Sequence, residues 1–248
     1  MFSLRLLFAK REKDEAIVSL YDQGTLGIAE RDLPGGQVEL EAFFETAVDP
    51  RCKLVEPFQD WRQSWQPIEV GERFFLVPDW RTDEPPPGRM KLIIHAAQAS
   101  GSGYHAPTQL AIVALEQTLR PADVLLDLGT GSGILAEAAR LLGATQLYAC
   151  DIDPVALHET IRNETPARLF LGSVRALASQ SVDVIAANLN AHSLVSLRKD
   201  LLRVLKPKGR LILSGFKQRH LDMLLAAFPL PHRALEQEDW RCLIVNKG

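Results

Sequence analysis

The chain has few cysteines and no long apolar run, and both absences narrow its class. Its 248 residues include three cysteines, Cys52, Cys150 and Cys242, which lie far apart and form no CxxC pair. This number and spacing argue against a disulfide framework and a zinc knuckle, and favour a reducing compartment. No window reaches about 18 consecutive apolar residues, so we expect no membrane-spanning helix and no membrane partner. A cytoplasmic protein is therefore expected.

The chain also lacks an excess of charge of either sign. It has 28 lysines and arginines against 31 aspartates and glutamates, a formal net charge of -3 and a sequence pI of about 6.1. Binding of nucleic acid through bulk electrostatics needs a basic surface, so no direct nucleic-acid binding is expected. The six histidines show no metal-ligand spacing, and we expect no metal.

Composition and patterning divide the chain into three parts. Residues 1–56 are predicted to form a small α+β domain, which shows no catalytic motif and is interpreted as a packing or substrate-docking module. Residues 57–90 contain DEPPPG, whose consecutive prolines favour an extended, stiff linker. The same interval carries Trp61, Trp65 and Trp80, which either pack the linker against the core or form a substrate platform.

From residue 91 to residue 248, short apolar strands alternate with helical segments. The predicted strands are DVLLDLG, TQLYACD, ARLFLGS, VDVIAANL, RLILSG and a last one within EQEDWRCLIVNKG. The predicted helices are 132–143, 154–164, 193–209, ended by Pro207 and Gly209, and 220–229. This alternation is typical of the α/β class with a doubly wound parallel sheet.

A glycine-rich turn follows the first of these strands. DLGTGSGILA places Gly129, Gly131 and Gly133 before a helix, with Ile134 where a dinucleotide GxGxxG turn carries its third glycine. No GK[ST] follows, which excludes a phosphate P-loop. Such a turn lets the backbone approach a ligand near a helix N-terminus. A tight turn without a ligand remains the alternative, and the spacing disfavours a nicotinamide-dependent oxidoreductase.

Polar residues end the next three strands, at the edge where open α/β sheets bind ligands. Asp151 lies 22 residues after Gly129, and its carboxylate can accept hydrogen bonds from both hydroxyls of a ribose; Asp153 is the alternative. Ser173 ends FLGS, where its hydroxyl or a backbone N–H can meet an adenine edge. Asn188 follows an apolar run in AANL.

This constellation resembles the Rossmann-like methyltransferases that use S-adenosylmethionine, and further segments resemble ribosomal-protein methyltransferases of the PrmA type. These segments are DWRQSWQPIEVGERFFLVPDW, GSGYHAPTQLAIVALE, DLGTGSGILA, DIDP, the NL after the fourth strand and EQEDWRCLIVNK. The resemblance covers residues 57–248 well and the preceding residues loosely. It implies a Rossmann-like sheet of the methyltransferase type behind a small N-terminal domain that docks the substrate.

The resemblance also implies an activity and a set of site residues. The family transfers methyl groups from S-adenosylmethionine to lysine amines, and to an N-terminal α-amine, of large-subunit ribosomal protein eleven. Thr108, Gly129, Asp151 and Asn188 match its cofactor contacts, to which the strand-end argument adds Gly131 and Ser173. Asn188 also stands where the target amine arrives, and is the expected catalytic residue. We expect a monomer whose partner is a protein substrate.

Departures from the family pattern leave the acceptor open. ASGSG has Ser100 where phenylalanine is usual, HAPT has Pro107 in place of threonine, and NLNAHSL replaces NILAGPL or a similar segment. These changes alter the rim of the site and keep another protein lysine or a small molecule as the alternative acceptor. His105 and His192 are candidates for proton transfer or polar loop histidines, and a non-catalytic binding protein is the remaining alternative.

Overall fold

The computed structural model describes residues 1–25, 27–55, 65–95 and 103–248. They fall in two compact units, Met1–Trp65 and Gln66–Gly248. The division differs from the predicted one, in which residues 57–90 are a linker. Residues 66–90 belong to the second unit because they contain two strands and the start of a third. The rest of the expected linker, with Trp61, lies almost entirely outside the described residues.

The first unit is an antiparallel sheet with a helix. Its strands have the order β2-β3-β1-β4, and its elements are β1 (Phe2–Ala9), α1 (Lys13–Asp22), β2 (Gly27–Leu33), β3 (Gln37–Phe44) and β4 (Lys53–Leu54). Alternate residues of β3 are buried and pack with Leu4 of β1 and Leu20 of α1, the period-2 pattern of a sheet with one covered face. The predicted α+β character of this segment is what the structure shows.

The second unit contains a small sheet and a large one. The small sheet joins β5 (Ile68–Val70), β6 (Phe74–Pro78) and β7 (Met90–Ile94). The large sheet joins β8 (Val124–Leu128), β9 (Gln146–Asp151), β10 (Arg168–Leu171), β11 (Val182–Asn188), β12 (Leu205–Lys217), β13 (His232–Gln237) and β14 (Trp240–Asn246). The helices of this unit are α2 (Ala106–Thr118), α3 (Ile134–Leu141), α4 (Pro154–Arg162), α5 (Ala191–Val204) and α6 (Leu221–Ala227).

The large sheet has the order β10-β9-β8-β11-β12-β14-β13. The first five strands are parallel, whereas β14 runs antiparallel to β12 and β13 antiparallel to β14. The sequence predicted a single final strand and missed this hairpin. Its two-residue turn contains Glu238 with φ 52°, so no glycine marked the left-handed position that such turns require.

Helix α5 is shorter than predicted. It ends at Val204, and β12 begins at Leu205, before Pro207 and Gly209. Proline restricts the residue before it to extended backbone, so the segment Leu205–Lys206 already belongs to the strand. Every residue of β8 is buried, which is typical of a parallel sheet covered on both faces. None of the helices in the described part of the chain is long and apolar enough to span a membrane.

Candidate functional site

The glycine turn between β8 and α3 has a backbone that suits glycine. Gly129, Gly131 and Gly133 have φ values of 71°, 55° and 83°, in the left-handed region that side chains disfavour. A Cβ on Gly133 would lie 2.2 Å from Thr165 Oγ1. The N–H groups of Gly129 and Thr130 both donate to the carbonyl oxygen of Cys150, at 2.9 and 3.0 Å. The turn is therefore fixed against the end of β9.

The sequence analysis missed two residues in and just after α4 that donate hydrogen bonds to carbonyl oxygens of this turn. Thr160 Oγ1 donates to the carbonyl oxygen of Gly131 at 2.8 Å, and Asn163 Nδ2 donates to that of Ser132 at 2.8 Å. Thr160 is fully buried. No motif marks either residue, because the contacts join segments about 30 positions apart and depend on the fold.

Asp151 lies at the end of β9 beside the glycine turn. Its Oδ2 accepts from Gly131 N at 3.1 Å, and its Oδ1 accepts from Asp153 N at 3.0 Å. A carboxylate has about four lone-pair directions, so each oxygen keeps one for a ligand hydroxyl. The alternative acid, Asp153, caps α4 by accepting from Val155 N at 2.8 Å. The two carboxylates therefore have different roles.

A pocket of about 110 Å³ opens at these strand ends. Its lining residues are Leu128, Gly129, Asp151, Ile152, Gly172, Ser173, Leu189, Ser193 and Leu197. Ser173 is thus brought to Gly129 and Asp151, and its hydroxyl caps a short 3-10 turn by accepting from Arg175 N at 3.4 Å. Ile152 is 78% exposed, an apolar surface directly beside Asp151. The sequence analysis missed Ile152, although an apolar residue after a strand-end acid was a readable signal.

Asp127 is a second functional candidate that the sequence analysis did not single out. The side chain is fully buried, and Oδ2 accepts from Thr130 Oγ1 at 2.8 Å and from Ala136 N at 3.1 Å. Its Oδ1 has no hydrogen-bond partner among the described residues. Burial raises the pKa of this carboxyl to about 7. The readable signal was a carboxyl within the apolar strand VLLDL.

Thr108 and Asn188, 80 positions apart, meet at the ends of α2 and β11. Asn188 Nδ2 donates to Thr108 Oγ1 at 3.1 Å, and Thr108 is 1% exposed. Ser214 of β12 lies opposite Asn188 in the sheet register, and its hydroxyl donates to the carbonyl oxygen of Pro107 at 2.7 Å. The predicted residue Asn188 thus faces the start of α2.

The remaining candidates are less closely tied to this site. His105 is exposed and precedes α2 without capping it through its side chain. His192 lies on α5 with its ring edge-to-face with that of His220, 6.0 Å between centroids. Trp65 and Trp80 are half-buried. Within the described parts of the chain, no group of three histidine, cysteine or acidic residues could hold a metal ion.

The residues at the strand ends fit a nucleoside joined to a charged chain. Asp151 keeps lone pairs for two hydroxyls, Ile152 offers an apolar surface to a base, and the glycine turn lets a chain approach the backbone. Asp127, whose Oδ2 accepts from Thr130 of that turn, keeps Oδ1 without a partner among the described residues, and a cationic group near it would offset its desolvation.

Comparison with known proteins agrees with this chemistry. A family model described as ribosomal protein L11 methyltransferase (PrmA) matches residues 8–248. The ribosomal protein L11 methyltransferase of Symbiobacterium thermophilum is 35% identical over 228 residues, covering 87% of this chain and 75% of the relative. That of Lactococcus lactis subsp. lactis is 35% identical over 199 residues, covering 75% of this chain and 62% of the relative.

A solved structure extends the comparison to the fold. The crystal structure of the ribosomal protein L11 methylase from Lactobacillus delbrueckii subsp. bulgaricus aligns with a TM-score of 0.67 at 26% identity, covering 74% of this chain and 99% of that one. The predicted α/β fold of the Rossmann-like methyltransferase type is confirmed. The protein is a methyltransferase, and its methyl donor is S-adenosylmethionine. Because the family model covers nearly the whole sequence, the chain belongs to the ribosomal protein L11 methyltransferase (PrmA) family.

Proposed function

We propose that this enzyme methylates lysine side chains, and an N-terminal α-amine, of ribosomal protein L11. The observation that carries the proposal is the Asn188–Thr108 hydrogen bond beside the strand-end pocket. It holds the amide nitrogen of Asn188 and leaves the carbonyl oxygen to accept from an incoming amine. Relatives whose names specify L11 support the acceptor. We further propose a monomer that acts in the cytoplasm.

The cofactor is proposed to lie along the carboxyl ends of β8 to β10. Gly129 and Gly131 present their carbonyl oxygens to its amino-acid portion, because both of their N–H groups already donate within the protein. Asp151 accepts from the two ribose hydroxyls. Ile152 covers one face of the adenine, and Ser173 lies at the adenine edge. The hydrogen bonds at Gly131 and Asp151 and the lining of the pocket support this placement.

When bound, S-adenosylmethionine supplies a methyl group attached to a sulfonium sulfur. The sulfur leaves as a neutral thioether, so the leaving group needs little further activation. The chain's own residues then have to position the acceptor and exclude water. A free lysine has a pKa of about 10.4, so its amine must lose a proton on entering the site before its lone pair can attack. Asn188 Oδ1 orients the remaining N–H groups. His105 and His192 remain candidates to receive the proton.

Labelled S-adenosylmethionine and recombinant ribosomal protein L11 test this function. We expect the full chain to label the ribosomal protein on lysines, as mapped by mass spectrometry. Asp151→Ala should weaken cofactor binding about tenfold or more by calorimetry, since hydrogen bonds to a charged group contribute about 1.5–3 kcal/mol. Asp153→Ala is the matched control: it removes the neighbouring carboxylate and a helix cap, and should leave cofactor affinity nearly unchanged.

The same labelling reaction with an extract of cells that lack the enzyme distinguishes L11 from other acceptors. Label on a different protein or on a small molecule, with none on L11, would keep the reaction and replace the acceptor, as the departures from the family pattern at Pro107 and at Ser100, which lies outside the described residues, allow. Cofactor binding without transfer to any acceptor would favour a non-catalytic binding protein and contradict the proposed function.

A further inference from the structure

We propose that Trp240 and Asp239 form a subsite at the rim of the large sheet that binds a lysine side chain of the protein acceptor. Lys217 of the same chain occupies this subsite in the free enzyme. The inference rests on the proposed function and adds a second point of contact with the acceptor, outside the transfer site. It stands on a cation–π contact, an ion pair and the register of β12, β13 and β14.

The strands that carry this subsite extend beyond the proposed transfer site. β11 ends at Asn188, opposite Ser214 of β12, whereas β12 continues to Lys217, which lies opposite Trp240 of β14. β12 and β14 therefore project past Asn188 at the edge of the sheet where the acceptor amine is proposed to arrive. Since β14 is the second strand from β11 and neighbouring strands lie about 4.8 Å apart, Trp240 is about 10 Å or more from Asn188. A lysine on Trp240 is then a different residue from the lysine that is methylated.

Trp240 lies on the face of the sheet that packs against α2. It is paired with Lys217 on one side and with Gln237 of β13 on the other, and the side chains of directly opposite residues share one face. Gln237 Nε2 donates to Gln109 Oε1 of α2 at 3.0 Å. The side chain of Asn188 also donates to α2. The subsite and Asn188 therefore lie on the same side of the sheet.

The ring of Trp240 holds a cation in the structure. Lys217 Nζ lies 5.3 Å from the ring centroid, within the distance of about 6 Å at which an ammonium group is attracted to an aromatic face. The same nitrogen lies 3.4 Å from Asp239 Oδ2. Among aromatic side chains indole binds cations best, and a neighbouring carboxylate adds a charged contact. Trp240 and Asp239 thus have the chemistry that recognises an ammonium group.

The contact with Lys217 can be exchanged for one with the acceptor. The side chains of Lys217 and Asp239 are 38% and 57% exposed, and Trp240 is half-buried. An exposed ion pair contributes little to stability, because long side chains lose conformational freedom and water screens the charges. Release of Lys217 into solvent therefore has a small cost. The backbone of the subsite stays in place, since Gln218 N donates to the carbonyl oxygen of Asp239 at 2.8 Å.

Lys217→Gln tests this exchange because it vacates the subsite and leaves Trp240 intact. We expect kcat/KM for ribosomal protein L11 to rise about threefold, the scale of an exposed cation–π contact, with kcat and the cofactor Kd unchanged. Such a gain cannot arise from a misfolded variant. Trp240→Leu should lower kcat/KM about threefold, whereas Trp240→Tyr keeps an aromatic face and should retain most of it. Arg219→Gln is the matched control: it removes a positive charge from an exposed residue of the same segment and should leave kcat/KM nearly unchanged.

A double-mutant cycle of Lys217→Gln with Trp240→Leu identifies the route of the effect. If Lys217 competes with the acceptor for the Trp240 ring, Lys217→Gln has no effect on kcat/KM once Trp240 is leucine. An equal rise in both backgrounds, or an equal rise in Arg219→Gln, would indicate a general effect of charge on the encounter and overturn the proposal. A fall of kcat/KM in Lys217→Gln would also overturn it.

A second readout does not depend on methylation of L11. The indole N–H signal of Trp240 in the NMR spectrum, assigned by its loss in Trp240→Tyr, is followed while acetyl-Gly-Lys-Gly-amide is added. We expect a saturable shift of this signal in Lys217→Gln, at about threefold lower peptide concentration than in the wild type, and none with the corresponding glutamine peptide. The absence of a saturable shift in both proteins would contradict the subsite even if L11 is methylated. A shift without labelling of L11 would contradict the proposed function alone.

Discussion

At the scale of single residues, burial changes the pKa of the Asp127 carboxyl group, which is hydrogen-bonded to the glycine turn. Its pKa is raised to about 7, chiefly because burial disfavours the charged form, while the hydrogen bonds from Thr130 and Ala136 act in the opposite direction and Asp151 raises it slightly further. One of its oxygens has no partner among the described residues. A neutral carboxyl is therefore favoured below pH 7 in the cofactor-free protein.

This shift predicts a pH-dependent stability that Asp127→Asn should remove. On folding, the pKa of the Asp127 carboxyl rises from its ordinary value of 3.8 to about 7, so between these values the folded state binds more protons than the unfolded state. Stability should then fall as pH rises from about 4 to about 7, by up to about 1.4 kcal/mol per pH unit, and change little above that range. The measurement is the free energy of unfolding in urea for both proteins from pH 5 to 8. A constant difference between them would contradict the assigned pKa.

At the scale of elements, the sequence predicted the strand ends better than the contacts between them. Apolar runs followed by Asp151, Ser173 and Asn188 marked where strands stop, because the period and the change of polarity are local properties. The hydrogen bond from Thr160 to the glycine turn and the β13–β14 hairpin were not predicted. The first joins residues 29 positions apart, and β13 has the polar sequence HRALEQ with mostly exposed side chains, so neither leaves a local apolar pattern.

Gly133 tests how tightly the turn is held against α4. Gly133→Ala places a Cβ 2.2 Å from Thr165 Oγ1 at a φ of 83°, so it combines a clash with a left-handed backbone cost of about 1–2 kcal/mol. We expect a total loss of at least about 2 kcal/mol in the free energy of unfolding and weaker cofactor binding. Gly143→Ala, at the other end of α3, has φ 97° and a nearest contact of 3.6 Å. Gly143→Ala should lower the free energy of unfolding by the backbone cost alone and leave cofactor affinity unchanged. Equal losses in the two variants would show that the contact with Thr165 contributes nothing to the effect of Gly133→Ala.

At the scale of the whole molecule, the two units have separate hydrophobic cores, and only one of them contains the predicted cofactor contacts. The predicted cofactor contacts, from Thr108 to Asn188, all lie in the unit Gln66–Gly248, whereas the unit Met1–Trp65 packs its own core around Leu20 and Phe44. The matched family model begins at residue 8 and so includes both units. This separation makes substrate docking the function that we propose for the first unit.

Removal of residues 1–65 should therefore separate cofactor binding from protein methylation. We expect the Kd of residues 66–248 for S-adenosylmethionine to lie within about threefold of that of the full chain, because every proposed contact is retained. We expect the fragment to label ribosomal protein L11 at least about tenfold more slowly at low acceptor concentration, where docking energy determines kcat/KM. The measurements are calorimetry and initial rates over a range of acceptor concentrations, with circular dichroism to establish that the fragment is folded. A folded fragment that methylates L11 as efficiently as the full chain would contradict the docking role. A loss confined to kcat at saturating acceptor would instead assign the first unit to the transfer step.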